Sequence, residues 1–285
     1  MTRATLKPAA RNLHLCLFPL GEIASFAACL FWAGRDWRLC VMALLLSALC
    51  LNFAVHITFH ELVHTSGNRN SITLYLWSGL STLLAGIPFD GYRWHHYTHH
   101  RYNNRPEDYS STWKITPQGW QARRCLEYAA KWPDQLVRGR AGLKTQLLAG
   151  AAPFWIHRRI QWQKILLLTF YLALAFVSWK GFGLYLLLIY LGWFLVSWHN
   201  YGQHLPVEKP GAYATSYPNR WYNFLFCNNG IHYEHHAAPQ VPWHQLSADP
   251  MAPWTVGLPH LAGPWFSLSS ASNLSPIVFR KREKE

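Results

Sequence analysis

Three long apolar runs dominate the chain, at 39–58 (LCVMALLLSALCLNFAVHIT), 163–179 (QKILLLTFYLALAFVSW) and 182–198 (FGLYLLLIYLGWFLVSW). Each is about as long as a helix needs to be to cross the hydrocarbon core of a bilayer. A weaker run at 13–33 is interrupted by Pro19, Gly21 and Glu22 and is expected to pair with the 39–58 helix across the short turn Gly34-Arg35-Asp36-Trp37. Little more than Lys180-Gly181 separates the last two runs, which predicts a helical hairpin. Arg3, Lys7 and Arg11 before the first run would suit a secretory signal. The run lacks a convincing small-x-small cleavage site and is read as a span.

Composition agrees with an all-α integral membrane protein that carries large polar pieces. Hydrophobic residues make up 51% of the 285 and charged ones only 14%, yet the net charge is +13. The mean hydropathy of −0.04 averages greasy spans with a wet, basic remainder. Arg101–Lys164 holds twelve basic residues against four acidic ones, whereas the hairpin tip offers only Lys180. Positive-inside bias therefore predicts that the N-terminus, 90–162 and 199–285 are cytoplasmic. Docking of an acidic electron donor or of anionic headgroups would also use this charge, but topology explains it more simply. Trp113, Trp120, Trp132, Trp155 and Trp162, interleaved with Arg and Lys, predict helices lying on the membrane surface. Nucleic-acid binding is disfavoured by the spans. The six cysteines, at 16, 29, 40, 50, 125 and 227, form no C-x-x-C and read as reduced apolar residues.

Chemistry enters with the histidines. His60-x-x-x-His64, His96-x-x-His99-His100 and His232-x-x-His235-His236 each place imidazoles three or four residues apart. On a helix such residues share a face, so each box is expected to aim two or three rings at a common point. Imidazole suits iron, zinc, copper or nickel, but this many nitrogens exceeds what a single zinc site uses and favours a dinuclear redox centre. One segment then becomes a problem. Residues 72–89 (ITLYLWSGLSTLLAGIPF) are apolar enough to span, yet a full crossing would put His64 and His96 on opposite faces. The segment is therefore expected to be re-entrant or interfacial, interrupted by Gly79, Gly86 and Pro88, with its irregular backbone buried in protein.

His60-Glu61-Leu62-Val63-His64, Trp94-His95-His96-Tyr97-Thr98-His99-His100-Arg101-Tyr102-Asn103-Asn104 and Asn229-Gly230-Ile231-His232-Tyr233-Glu234-His235-His236 resemble the boxes of the membrane fatty acid desaturase superfamily. Ala238-Pro239-Gln240-Val241-Pro242-Trp243 after the third box and Asn200-x-x-x-His204 beyond the last span extend the resemblance, which covers roughly 40–250. It implies a single membrane-bound domain over 1–285, with about four transmembrane helices, the re-entrant segment and a cytoplasmic helical cap carrying the boxes. It further implies a non-haem diiron enzyme that uses molecular oxygen and two electrons to attack unactivated C–H bonds of a lipid or acyl chain, most simply as a fatty acyl desaturase. The ligands it implies are His60, His64, His96, His99, His100, His204, His232, His235 and His236, with Asn200 reaching one metal directly or through water. Hydroxylation or ketolation of an acyl chain, alkane or carotenoid would use similar boxes. No redox motif is built into the chain, so electrons are expected from a separate ferredoxin, rubredoxin or cytochrome b5.

Competing readings use the same residues. His60-Glu61-x-x-His64 also satisfies the zinc-protease motif, in which two histidines bind zinc and the glutamate is the general base, but the other boxes would then be surplus. A haem carrier would need histidines facing each other inside paired spans, and only His56 lies well inside one. His56 is open between ligand, partner of a ligand and packing histidine. His95 and His199, beside ligands but off the metal-facing stripe, are read as partners of ligands or surface residues, while His14, His157, His244 and His260 are assigned no role. Glu61, Glu107, Asp108 and Glu234 are candidates to orient ligand imidazoles through their second N–H. The end of the chain, Arg280-Lys281-Arg282-Glu283-Lys284-Glu285, reads as a solvated tail.

Overall fold

A computed structural model describes residues 8–65, 72–105, 107–206, 214–248, 255–256 and 279–280, with the side chains of 8–14, 65, 255–256 and 279–280 outside the description. His14, His260 and the basic tail therefore lie outside the described side chains. Almost all of the regular structure is helical. Helices long and apolar enough to cross a membrane run over Leu15–Trp32, Trp37–His64, Phe154–Val177 and Trp179–Gln203, as an all-α integral membrane protein requires. The chain falls into two compact units, one of Leu13–His96 and Leu136–Leu195, the other of Met1–Asn12, Tyr97–Gln135 and Val196–Glu285.

In the first unit, α1 (Pro8–Trp32) runs through Pro19 without a break. Proline donates no hydrogen bond and so releases the carbonyl of Leu15 four residues earlier. The hydroxyl of Thr58 takes up that carbonyl at 2.6 Å. Neither Gly21 nor Glu22 interrupts the helix. A Cβ at Gly21 would meet Cys50 Sγ at 3.0 Å, so glycine is what brings the neighbouring helix close.

That neighbour, α2 (Trp37–Phe53), is capped by Asp36, whose carboxylate accepts from the amides of Arg38 and Leu39. It passes through a π-helical turn, Ala54–Phe59, into α3 (His60–Thr65). The second span is thus longer than the 39–58 run, and it carries the first histidine box on its end. The wider i→i+5 winding of the π turn also shifts His56 off the shared face with His60 that a four-residue spacing would give on an α-helix.

The apolar segment at 72–89 does not run straight. α4 (Ile72–Ala85) and α5 (Phe89–Tyr102) meet at 89°, a broken or re-entrant course. The break falls at Gly86, with φ +65°, and the following Ile87-Pro88. Gly79 does not interrupt α4; its missing Cβ instead admits the ring of Trp162, which a Cβ would meet at 3.0 Å. Helix ends leave carbonyls unpaired, and here side chains satisfy them. Tyr185 OH donates to Leu83, Trp193 Nε1 to Ala85 at 2.7 Å, and Tyr171 OH to Gly86 at 3.1 Å. Beneath the bend Asp90 is fully buried and accepts from Arg93 at 3.1 Å, from Arg159 at 2.9 Å and from Gln163.

The remaining helices of this unit come from α7 (Trp132–Leu148), α8 (Phe154–Val177) and α9 (Trp179–Gln203). α8 begins nine residues before the apolar run, after Pro153. The hairpin turns at Ser178 rather than Lys180-Gly181, because the Ser178 hydroxyl accepts from the amide of Gly181 at 3.0 Å and caps the start of α9. Apolar side chains face outward at high exposure, Phe176 at 94%, as expected where lipid replaces water.

The second unit begins within α5 and α9, which both continue into it, and adds a β-hairpin of β1 (Trp113–Thr116) and β2 (Gly119–Ala122). Surface helices were expected across this basic segment; around Trp113 and Trp120 the chain forms strands instead. Short helices α6 (Cys125–Ala130), α10 (Arg220–Leu225) and α11 (His232–Ala237) complete it, with a two-residue pairing of β3 (Thr255–Val256) and β4 (Phe279–Arg280). Its core includes Cys125, Tyr128, Tyr201, Leu205 and Tyr217.

Candidate metal centre

The second unit assembles four imidazoles from three elements. His99 on α5, His204 at the end of α9, and His232 and His236 on α11 present ligand nitrogens that all lie within 4.8 Å of one another. The Nε2 atoms of His99 and His232 each sit 2.9 Å from Nε2 of His204. Nitrogens held at about 2.1 Å by one ion, at right angles, stand about 3.0 Å apart. The spacing fits a shared first-row metal.

His236 gives a second test of fit. Its Nε2 is buried and has no hydrogen-bond partner among the described residues. Burial first, then the nearby His100, His232, His204 and His99, hold this imidazole well below the usual histidine range. A neutral imidazole with a buried lone pair is a metal ligand's state.

The orientation of His99 is fixed from behind. Its Nδ1 lies 2.8 Å from Asp108 Oδ2, which also accepts from the amide of Asn104 at 2.8 Å. The other oxygen accepts from the amide and hydroxyl of Ser110 at 2.9 and 2.8 Å. With its proton held on Nδ1, His99 turns the lone pair of Nε2 toward the cluster. The loop that brings Asp108 back is started by Asn103 and Asn104, at φ +36° and +65°, a left-handed conformation that asparagine tolerates. Asn104 and Thr112 then anchor the backbone of His204: Thr112 Oγ1 donates to its carbonyl at 2.7 Å.

The third box does not point at a single spot. His232 and His236, one turn apart, join the four-histidine cluster, while His235 meets His100 with their Nε2 atoms 3.1 Å apart. α5 divides in the same way, His99 going to one group and His100 to the other. A box read as one shared face is thus two adjacent faces, one for each group. In the first unit, His60, His64 and His96 lie together, with ring centroids 4.6 to 5.0 Å apart and His64 Nε2 2.9 Å from His96 Nε2. Tyr92 stacks on His96 and donates to the carbonyl of Val55 in the π turn.

The Fatty acid desaturase family matches residues 35–249, from the turn before α2 to beyond the last box. The chain belongs to the fatty acid desaturase family. No curated protein and no solved structure matches it. Membership implies an enzyme, a membrane setting and a lipid substrate, and the histidine clusters of this desaturase-family chain are able to hold metal.

Other candidates of the sequence sort by position. Asn200 donates through Nδ2 to Tyr128 OH at 2.7 Å, and Tyr128 donates on to Ser110 O. His199 is fully buried, with Nε2 3.2 Å from Tyr222 OH, so it is no surface residue. Burial, then Tyr217, push the Tyr222 phenol well above its ordinary range, which keeps it a donor. His56 is buried in the π turn and His95 half-buried; neither belongs to a histidine cluster. Of the four acidic candidates, Asp108 touches the imidazole of His99, Glu61 is half-buried, Glu107 is exposed, and Glu234 accepts from Ser216 at 2.5 Å. Sequence reasoning missed Asn104, Ser110, Thr112, Tyr128 and Tyr92. Only the Asn-Asn pair after the second box signalled any of them, through its tolerance of a left-handed turn.

Proposed function

We propose that this member of the fatty acid desaturase family is an oxygen-dependent non-haem diiron fatty acyl desaturase. One iron is held by His99, His204, His232 and His236, and the other by His60, His64, His96, His100 and His235. The observation that carries the reading is the buried four-imidazole cluster whose His99 is fixed by Asp108. For the second iron, support comes from α5 itself: His96 and His100 lie one turn apart on the same face of one continuous helix. With Nδ2 of Asn200 engaged by Tyr128, its Oδ1 is the atom that reaches a metal, directly or through water.

The bound irons would supply the oxidising power to remove hydrogen from an unactivated carbon when oxygen and electrons are provided. The protein's own residues hold the nitrogens in place before substrate arrives, which is where a positioned site gains most. Asp108, Ser110 and Thr112 fix His99 and His204, and the buried setting of the cluster keeps bulk water from it. The chain lies in the membrane with the histidines toward the cytoplasm, where a separate ferredoxin, rubredoxin or cytochrome b5 delivers electrons. The bias of basic residues in 101–164 supports that orientation.

Metal analysis with product analysis tests the reading. The purified protein is expected to carry about two irons per chain. With a matched reductase and donor, it is expected to release an acyl product two hydrogens lighter. An added oxygen would replace desaturation by hydroxylation, and a single zinc with peptidase activity would sink the diiron reading.

A further inference from the structure

Six cysteines read as unremarkable apolar residues in the sequence, yet two of them meet. Cys29 Sγ and Cys40 Sγ are 3.6 Å apart, on α1 and α2, with the residues 0% and 9% exposed. Each lies one helical turn from the α1–α2 connection: Cys29 before Trp32, Cys40 after Trp37. That connection is dressed for an interface. Arg35 lies over Phe31 and Arg38 over Trp37, and Trp32 and Trp37 bracket the turn. The thiols therefore sit just below the headgroup level, within reach of small thiol chemistry, and not at the centre of the bilayer.

Their depth is set by α2. From Cys40 to His60 the helix is continuous, and twenty residues span about 30 Å, the thickness of the hydrocarbon core. The thiol pair and the first histidine box are thus at opposite faces. A reduced electron donor must meet the histidine face, which leaves the cysteines toward the oxidising side, where disulfides persist.

We infer that Cys29 and Cys40 form a disulfide that staples α1 to α2 at the face opposite the histidines; the compartment argument rests on the cytoplasmic placement proposed above. Closing the bond from 3.6 Å to about 2.05 Å asks for a small shift of two side chains near the turn where Gly34 has φ +92°. The two thiols lose two protons and two electrons, and the sulfurs join. A small-molecule or protein disulfide accepts the electrons and is reduced to two thiols. The consequence is mechanical. The first span, α1, is the one most interrupted in sequence, and a covalent link near its end would hold it against α2.

Differential alkylation of the full-length protein in its native membranes tests this. Membranes are denatured directly in light N-ethylmaleimide, reduced, and relabelled with heavy N-ethylmaleimide before peptide mass spectrometry. The expected result is heavy label at both Cys29 and Cys40, and light label at Cys40 in Cys29→Ser. Light label at both cysteines of the unmodified chain, or heavy label at Cys40 surviving in Cys29→Ser, would overturn the pair. Labelling Lys180→Cys from each side of sealed membranes reads the orientation separately. Outward labelling with light Cys29 and Cys40 refutes the disulfide alone, whereas inward labelling refutes the cytoplasmic placement.

Discussion

Asp108 shows how one carboxylate outside the histidine boxes fixes the chemistry of a residue inside one. It accepts from His99 Nδ1, the Asn104 amide and two groups of Ser110, so its replacement disturbs the ring and the loop together. Asp108→Asn is expected to weaken iron binding by about 10–100-fold, read by competition with a graded series of chelators. An unchanged affinity would show that the contact does not orient a ligand. The cluster's division also makes a residue-scale prediction. His236→Ala and His235→Ala should each lose about one iron of two, and the double variant both, because the two rings serve different groups. Loss of both irons from either single variant would argue for one merged centre. In the sequence these neighbours were visible as candidate ligands, but which histidine group each joins was not. Spacing gives the azimuth of each ring around α11, but not which histidines of other elements stand at that azimuth.

At the scale of elements, close approaches decide how the spans pack. A Cβ at Gly192 would fall 2.3 Å from Leu51 Cδ2, so α9 and α2 touch only because that side chain is absent. Gly192→Ala is expected to shorten the half-life of the detergent-solubilised protein at elevated temperature, and Leu51→Ala to restore part of it. Overpacking of this kind costs about 1–3 kcal/mol. The bend between α4 and α5 belongs here too. Its existence followed from the demand that all boxes share a face, but its place did not: of the glycines and proline, only Gly86 and Pro88 lie at the break. Gly79 is consumed by Trp162. If the bent pair returns to the face it entered from, Ile72→Cys and Arg101→Cys in a cysteine-free background will label from the same side of sealed vesicles. Opposite-side labelling would make the pair a crossing span.

For the whole molecule, buried polar groups matter as much as the histidines. Asp90 forms ion pairs with both Arg93 and Arg159 in a region where an unpartnered charge is costly, and Gln163 adds a hydrogen bond to the same carboxylate. Asp90→Ala leaves two guanidinium groups without this partner and is expected to cost about 3–5 kcal/mol, measured as a lower thermal midpoint in detergent. A midpoint within a degree or two of the parent would mean that the arginines are satisfied otherwise. The sequence by itself determined the membrane class, the four spans and the identity of the histidines. Those features are written in local composition and in i, i+3 and i, i+4 spacing, which any helix must express. Only the tertiary structure decided where the spans begin and end, that a π turn joins α2 to the first box, which rings gather together, and which carboxylate stands behind them. Each of these depends on contacts between residues tens of positions apart, such as Thr58 with Leu15, Trp193 with Ala85 and Thr112 with His204, and no local pattern encodes such a contact.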